Sequence, residues 1–226
     1  MIFDYQKVRL ISVTQPRIPE AKTAEDLIAY CARVSNPSNQ ANLETAPKLL
    51  GYCIKNSHWS IFEMADATIE IETTRDIGRQ IIRHRSFSFQ EFSQRYADAS
   101  QLGFIERQTR LQDTKNRQNS VHIDQSDDLH NKIDEIWQMK QEQIQYETKT
   151  AYKWAIDNGI AKEQARAVLP EGMTMSRMYM KGNLRSWIHY CHLRMENGTQ
   201  KEHMDIANKC WDILCEEFSF LKQLEN

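Results

Sequence analysis

The chain has 226 residues, a formal net charge of -2 and an isoelectric point near 6.4. This length can bury one substantial core, and we interpret residues 1–226 as a single domain. A nearly balanced charge argues against a protein that coats nucleic acid through general basicity, so a basic site must be a local concentration of positive side chains.

The cysteines and the N-terminal segment indicate where the protein works. The five cysteines are odd in number and form no Cys-x-x-Cys pair that would suggest zinc or a redox centre, so we expect reduced thiols. Asp4, Lys7 and Arg9 interrupt the apolar stretch that a signal peptide needs, and no apolar run approaches membrane-spanning length. We therefore expect a cytoplasmic protein with no membrane partner.

The first part of the chain shows one strand pattern and two helix patterns. Residues 7–14 alternate as in a strand, which Pro16 ends. Thr23 precedes acidic residues, as the N-cap of a helix does, and this helix would stop near Asn36-Pro37. A second helix is predicted over residues 43–55.

The middle of the chain changes period several times. Residues 62–73 alternate as in a strand with one buried face, and residues 75–84 return to helical spacing. Residues 106–122 are polar and are expected to form a surface loop. Beyond Asp127, apolar residues recur at helical intervals and predict a long amphipathic helix that ends at Asn158-Gly159. These apolar residues are Leu129, Ile133, Ile136, Trp137 and Ile144.

The C-terminal part combines one strand pattern with further helices. A short helix from Lys162 would end before Pro170, and residues 173–180 are predicted to form a strand. From Leu184 onward the pattern is helical, with a break at Asn197-Gly198.

Positive charge is concentrated in the helix predicted over residues 75–84. His84 and Arg85 are predicted to fall on its apolar side, while three arginines at four-residue spacing occupy another face. Burial of a guanidinium without a partner would cost several kcal/mol of folding free energy, so a carboxylate or an anion must pair with it. An arginine run is also typical of a solvated helix face, which is the alternative interpretation. The three arginines are Arg75, Arg79 and Arg83.

The next segment, residues 86–96, would place Glu91, Ser93 and Arg95 on one face if it is extended. Such a trio could hold a phosphorylated sugar. Ser93 is also a candidate nucleophile, but no histidine lies where the sequence shows it to be the base, so a hydrogen bond to phosphate is favoured.

Histidines near the C-terminus suggest two further hypotheses. His189 and His192 could be a metal pair, but no acidic or cysteine ligand follows at zinc spacing and a glycine break separates His203, so we expect no metal. On one helix His189 shares a face with Arg185, whereas Arg194 points to the opposite side. Two different ligands or subunits would explain this arrangement.

The sequence resembles the flavin-dependent thymidylate synthases at several ordered segments. Arg83-His84-Arg85, seven residues and then Ser93 match the family signature, with Glu91 two before the serine and Arg95-Tyr96 two after it. Gln90 stands where the family often has asparagine, and Gln94 where it often has a smaller residue. The other matching segments are residues 32–35, 58–63, 165–170 and 183–186.

The resemblance implies an α+β fold with a central, mainly antiparallel sheet, flanking helices and a long amphipathic helix. It also implies a homotetramer whose sites are shared between subunits. The reaction would convert dUMP to dTMP, with methylenetetrahydrofolate as the one-carbon donor, reduced FAD as the hydride source and NADPH as the reductant. No cysteine nucleophile is then needed.

The resemblance also carries over site residues position by position. Arg194 would be catalytic, since its fixed charge at the uracil favours ionisation of the ring. His58 alone could be a core or helix-cap histidine, but its place before Ser60 suits a flavin contact. The nucleotide would contact Gln80, Arg83, Glu91, Ser93, Gln94, Arg95, Arg166 and Arg194. The flavin would contact Ser35, His58, Ser60, Arg83, His84, Arg85, Glu91, Asn183, Arg185 and His189.

Two other functions compete with this hypothesis. A nucleotide- or RNA-binding module could use the arginines with Phe87, Phe89 and Tyr96 for stacking, but the overall acidity argues against a nucleic-acid partner. A flavin-dependent reductase that has lost the nucleotide reaction is the second alternative, and the presence of Arg166 and Arg194 weighs against it.

Overall fold

The chain folds around a four-stranded antiparallel sheet, and a computed structural model describes residues 5–224. The predicted α+β class with an antiparallel central sheet is confirmed. The strands are β1 (Lys7–Val13), β2 (Asp66–Thr74), β3 (Ser88–Glu91), β4 (Arg110–Gln112), β5 (Ser120–His122) and β6 (Met175–Asn183). The helices are α1 (Ala24–Ala32), α2 (Ala46–Lys55), α3 (Arg75–Ile81), α4 (Asp128–Asp157), α5 (Lys162–Ala165), α6 (Leu184–Met195) and α7 (Lys201–Glu217).

The two central strands of the sheet build the core. The strand order is β1-β2-β6-β3, so β2 and β6 each have a neighbour on both sides. Ile69 lies opposite Met180 and Ile71 opposite Met178, and all four side chains are fully buried. Because alternate residues of a strand point to the same face, this pairing makes one continuous apolar surface for the helices.

Local signals explain where the first helices begin. The Thr23 hydroxyl accepts from the Asp26 amide at 3.1 Å while the Asp26 carboxylate accepts from the Thr23 amide at 3.0 Å, which confirms the predicted N-cap. α2 starts at Ala46, later than predicted, because the fixed φ of Pro47 suits a first helical turn. The strand predicted from residue 62 also starts later, since Trp59–Glu63 forms a short 3-10 helix.

The end of α3 differs from the prediction. The helix stops at Ile81, so His84 and Arg85 lie in a turn and do not share a helical face with the apolar residues of α3. The Phe87 amide donates to the carbonyl of His84 at 3.3 Å. The turn is required because the chain must reverse for Ser88 to begin pairing with β6.

Residues 106–122 are more ordered than the predicted surface loop. β4 and β5 pair as an antiparallel hairpin within this segment. Arg107 lies 2.6 Å from Asp76, and Arg110 lies 2.6 Å from Glu202. The loop prediction was wrong because ion pairs, rather than apolar side chains, attach the hairpin to the rest of the fold.

The long helix α4 confirms its predicted ends. Asp127 caps the amide of Leu129 at 2.8 Å, and Gly159 follows the helix with φ of +76°. Its predicted apolar stripe, however, faces outward: Leu129 is 64% exposed and Trp137 is 46% exposed. The buried face carries Gln141, Gln145, Thr148, Tyr152 and Ala155.

The C-terminal helices close the core. Asn183 caps α6 through a 2.9 Å bond from the Ser186 amide, and Trp187 Nε1 donates to the carbonyl of Ala67 at 3.1 Å. The predicted break between α6 and α7 is confirmed, and Gly198 there has φ of +98°. Within residues 5–224 no helix has both the length and the apolar character needed to cross a membrane.

Candidate active site

A buried arginine and a carboxylate mark one side of the site. α3 follows β2 directly, and its first residue, Arg75, is 6% exposed. Burial lowers the pKa of Arg75, and the charge of Glu91, 3.4 Å away, opposes that effect. Arg79 lies 3.4 Å from the other oxygen of Glu91 and 3.5 Å from Glu171. The prediction that a carboxylate answers the buried arginine is therefore confirmed.

Glu91 is the last residue of β3, and its side chain contacts the neighbouring strand β6. Its Oε1 accepts a hydrogen bond from the hydroxyl of Ser176 on β6 at 3.0 Å. The strand then ends, and the amide of Tyr96 donates to the carbonyl of Ser93 in a turn. The expectation that Glu91, Ser93 and Arg95 share a face of an extended segment is therefore wrong, because the backbone turns between them.

This turn brings together several groups suited to an anion. Gln94 is 5% exposed, and within residues 5–224 its Nε2 has no hydrogen-bond partner. Ser93 Oγ accepts from the Arg95 amide at 3.4 Å. Glu163 links two cations, since its carboxylate lies 3.8 Å from Arg95 and its carbonyl accepts from Arg166 at 3.3 Å. A buried donor without a partner is costly, so this turn fits a ligand that accepts hydrogen bonds.

Arg194 reaches the turn after α3 from the end of α6. Its Nε donates to Nε2 of His84 at 2.9 Å. Burial lowers the pKa of His84 to about 4, and the charges of Arg194 and Arg83 add to this effect. His84 is therefore a neutral acceptor, and it holds the guanidinium at a defined position. The Tyr190 ring packs at right angles to His84, with ring centroids 4.9 Å apart.

A polar network that no sequence pattern indicates joins α3 to α7. Gln80 Nε2 donates to Gln200 Oε1 at 2.7 Å, and Gln80 Oε1 lies 3.3 Å from Nδ1 of His203. Burial lowers the pKa of His203 to about 3, and Arg194 and His84 contribute to the shift. No periodic pattern could have found these pairs, because their partners lie more than a hundred positions apart.

The opposite side of α6 faces a different group of residues. Arg185 pairs with Glu63 at 2.5 Å, and the His189 ring lies 4.5 Å from the Trp59 ring. Burial lowers the pKa of His189, and Arg185 adds to the effect. The predicted division of α6 into two faces is confirmed, since Arg194 contacts His84 instead.

Other expected flavin residues lie on exposed turns. Arg83 and Arg85 are exposed, and neither forms an ion pair in the described part of the chain. His58 and Ser60 are exposed at the short 3-10 helix that Arg185 and His189 also contact. Ser35 is exposed after α1, and no side-chain hydrogen bond joins it to the others in residues 5–224.

The structure offers no support for a metal pair at the α6 histidines. The His192 ring lies 4.9 Å from Trp211, whereas His189 packs on Trp59. Among the residues described, no group of three or more histidine, cysteine, aspartate or glutamate side chains could hold a metal ion.

Comparison with known proteins gives matches over nearly the whole chain. The family described as "Thymidylate synthase complementing protein" (Thy1) matches residues 16–218. A probable flavin-dependent thymidylate synthase of Paramecium bursaria Chlorella virus 1 is 50% identical over 218 residues, which are 96% of this chain and 98% of that protein. A flavin-dependent thymidylate synthase of Synechocystis sp. is 49% identical over 214 residues, which are 93% and 95% of the two chains.

A solved structure shares the architecture. The UMP/dUMP methylase PolB from Streptomyces cacaoi, bound with 5-Br UMP, superposes with a TM-score of 0.78 at 22% identity, over 96% of this chain and 92% of that one. At this identity the likeness supports the fold alone. It agrees with the mixed fold of helices around an antiparallel sheet.

Proposed function

Since the chain belongs to the flavin-dependent thymidylate synthases, we propose that it converts dUMP to dTMP with methylenetetrahydrofolate as the one-carbon donor and NADPH as the reductant of FAD. The family matches residues 16–218, and we treat residues 1–226 as one such domain. The observation that carries the proposal is the buried amide of Gln94, which lacks a partner in the described chain beside two arginines.

The turn after β3 would bind the nucleotide phosphate and sugar. Gln94 and Ser93 offer hydrogen bonds, while Arg95 and Arg166 supply charge on either side of Glu163. A guanidinium matches the planar geometry of phosphate oxygens and keeps its charge at any physiological pH. The remaining nucleotide contacts that we propose are Gln80, Arg83, Glu91 and Arg194.

Arg194 would act on the uracil ring as the catalytic residue. Its Nε is occupied by His84, and in the described residues its two terminal nitrogens have no partner. Positive charge fixed before the reaction stabilises negative charge that develops on the ring and so raises the reactivity of the accepting carbon. The neutral state of His84 matters here, because a protonated ring would repel the guanidinium.

The residues of the expected flavin site fit that cofactor. Arg83 and Arg85 are unpaired cations in the described chain and suit a pyrophosphate. The side chains around the short 3-10 helix supply aromatic and hydrogen-bonding surface for a ring system. When bound, the flavin supplies the hydride, and the protein orients the reacting rings. The flavin contacts that we propose are Ser35, His58, Ser60, Arg83, His84, Arg85, Glu91, Asn183, Arg185 and His189.

The exposed stripe of α4 supports a homotetramer with sites shared between subunits. Trp137 is 46% exposed and Trp154 is 61% exposed on this helix. Beside Trp154, an apolar groove of about 650 Å³ runs between α4 and α5, with Ile160 and Val168 among its walls. Apolar area of this kind is stabilised when another chain covers it. Among residues 5–224 the cysteines form no disulfide, which supports the cytoplasm as the place where the enzyme works.

The aromatic residues expected to stack on RNA are mostly not exposed. Phe87 is 9% exposed and packs on Trp187, with ring centroids 4.8 Å apart, and Phe89 is half-buried. Of the three aromatic residues only Tyr96, at 77% exposure, is open to a base. Single-strand binding by stacking needs several accessible rings, so this structure does not favour it.

The visible spectrum of the purified protein tests the proposed function. The protein should hold a flavin that NADPH bleaches under anaerobic conditions. The flavin should be reoxidised only when dUMP and methylenetetrahydrofolate are both added, with dTMP formed in equal amount. Absence of flavin after reconstitution, or reoxidation without dTMP, would contradict the proposal.

A further inference from the structure

The start of α7 holds a buried carboxylate outside the expected site residues. Glu202 is 6% exposed, and its oxygens lie 2.6 Å from Arg110 and 3.9 Å from Arg107. Burial opposes ionisation, but the hydrogen bond and charge of Arg110, together with Arg107, lower the pKa of Glu202. The ionised carboxylate can only accept hydrogen bonds.

This charge sets the direction of the neighbouring bonds. Gln200 Nε2 lies 3.0 Å from Glu202, so the amide nitrogen faces the carboxylate and the amide oxygen faces away. That oxygen is 2.7 Å from Gln80, which must therefore donate through its nitrogen and turn its own oxygen toward His203. The two ends of a glutamine amide are assigned from such partners, and here a fixed charge decides both.

The hydrogen bonds of His203, on the other side of Gln80, are consistent with this orientation of the amides. His203 faces Gln80 Oε1 through Nδ1 at 3.3 Å, so Nδ1 carries the proton. Its Nε2 then accepts from the Tyr190 hydroxyl at 3.2 Å. Burial lowers the pKa of His203 and raises that of Tyr190, so the ring stays neutral and the hydroxyl keeps its proton. The hydrogen bonds therefore form one row in which each group has a single assignment as donor or acceptor. The row consists of Glu202, Gln200, Gln80, His203 and Tyr190.

We infer that Glu202, acting through Gln200, is a positioning residue that holds Gln80 as a hydrogen-bond donor and so selects a uracil nucleotide over a cytosine nucleotide. The inference rests on the proposed function, which places Gln80 at the nucleotide and Arg194 at its uracil. Gln80 lies on the same side of the site as Arg194, because Gln80 contacts His203, the His203 ring lies 6.3 Å from the His84 ring, and His84 binds Arg194. Gln80 is half-buried, and in the described chain its second N–H has no partner.

The chemistry of the two bases explains the selection. Uracil carries a carbonyl oxygen at the ring position where cytosine carries an amino group. In the proposed complex the free N–H of Gln80 lies opposite this position. It pairs with the carbonyl of uracil, whereas it faces a second donor when cytosine binds. A partly buried donor without an acceptor weakens binding by roughly tenfold, which corresponds to about 1.4 kcal/mol.

Calorimetric titration of the flavin-loaded protein with dUMP and with dCMP, without folate or reductant, tests the inference. Wild-type protein should prefer dUMP. Glu202→Gln allows the amides of Gln200 and Gln80 to reverse, so the ratio of the two affinities should fall about tenfold. The matched control is Glu217→Gln, which removes an exposed charge from the same helix and should leave the ratio unchanged.

A double-mutant cycle separates positioning from a general structural role. In a Gln80→Ala background, Glu202→Gln should cause no further change in the ratio, because the residue through which it acts is gone. Gln200→Leu removes the hydrogen bonds between Glu202 and Gln80 but leaves the ion pairs of Glu202 with Arg107 and Arg110. This variant therefore provides the test if Glu202→Gln does not fold. Wild-type selectivity in Gln200→Leu or Glu202→Gln, or an undiminished effect in the Gln80→Ala background, would overturn the inference. Failure of the wild type to bind dUMP would instead contradict the proposed function.

Discussion

Arg194 donates through Nε to Nε2 of His84 at 2.9 Å, across 110 positions of sequence. An imidazole that accepts a hydrogen bond from a guanidinium must be unprotonated, and burial lowers the pKa of His84 to about 4. The contact fixes one edge of Arg194 and leaves the terminal nitrogens for a ligand. It thus connects the family signature after α3 with the helix that carries Arg194, the arginine proposed as catalytic.

Replacement of Arg194 should separate catalysis from flavin binding. In Arg194→Ala we expect dTMP formation to fall by about 100-fold or more, the usual effect of removing one preorganised charge donor. Flavin content should stay near that of the wild type, because Arg83 and Arg85 are untouched. Steady-state rates and the flavin absorbance per chain measure the two quantities. Leu193→Ala, at the exposed neighbouring position, is the control. Full activity of Arg194→Ala would refute the assigned role.

The half-buried His84 and the buried His203 make stability depend on pH. The folded protein lowers the pKa of His84 from 6.5 to about 4 and that of His203 to about 3, so the unfolded chain binds more protons below 6.5. The free energy of unfolding should therefore be highest above pH 6.5 and fall as pH decreases toward 4. Thermal unfolding from pH 5 to pH 7 should show a smaller slope in His203→Gln than in wild type. His122→Gln, at an exposed histidine, should keep the wild-type slope.

Gly182 is expected to tolerate no side chain. A Cβ at this position of β6 would overlap the Phe87 ring, which is buried against Trp187. Gly182→Ala should lower the free energy of unfolding by about 1–3 kcal/mol, the typical cost of overpacking a core. Gly172→Ala is the matched control, because its nearest atom would be 3.9 Å away. Equal denaturant midpoints for the two variants would show that Phe87 moves aside without cost.

Sequence patterns predicted those parts of the fold that depend on local chemistry. The Thr23 capping box, the strand at residues 7–13 and the end of α4 at Gly159 follow from neighbouring residues, and all were confirmed. The predicted end of α3 was wrong, because the position where the helix stops depends on the pairing of β3 with β6, and β6 lies far along the chain.

The same distinction applies to the candidate site. Spacing and resemblance identified Arg194 and His84 separately, but only the fold shows their contact. Gln200 and His203 carried no local signal, since their partner Gln80 is more than a hundred positions away. The 106–122 hairpin was missed because arginine ion pairs hold it, and a polar segment held in this way has no apolar period.

The outward stripe of α4 is the proposed contact between subunits. Trp137 is 46% exposed in the single chain, and a charge placed in a buried contact between subunits is strongly unfavourable. Trp137→Glu should therefore shift the proposed tetramer to smaller species, with helix content unchanged. Light scattering after size-exclusion chromatography measures the mass, and circular dichroism measures the helix content. Gln143→Glu, which adds the same charge at an exposed polar position of α4, should stay tetrameric. A wild-type protein that is a stable monomer and still forms dTMP would contradict both the tetramer and the shared sites.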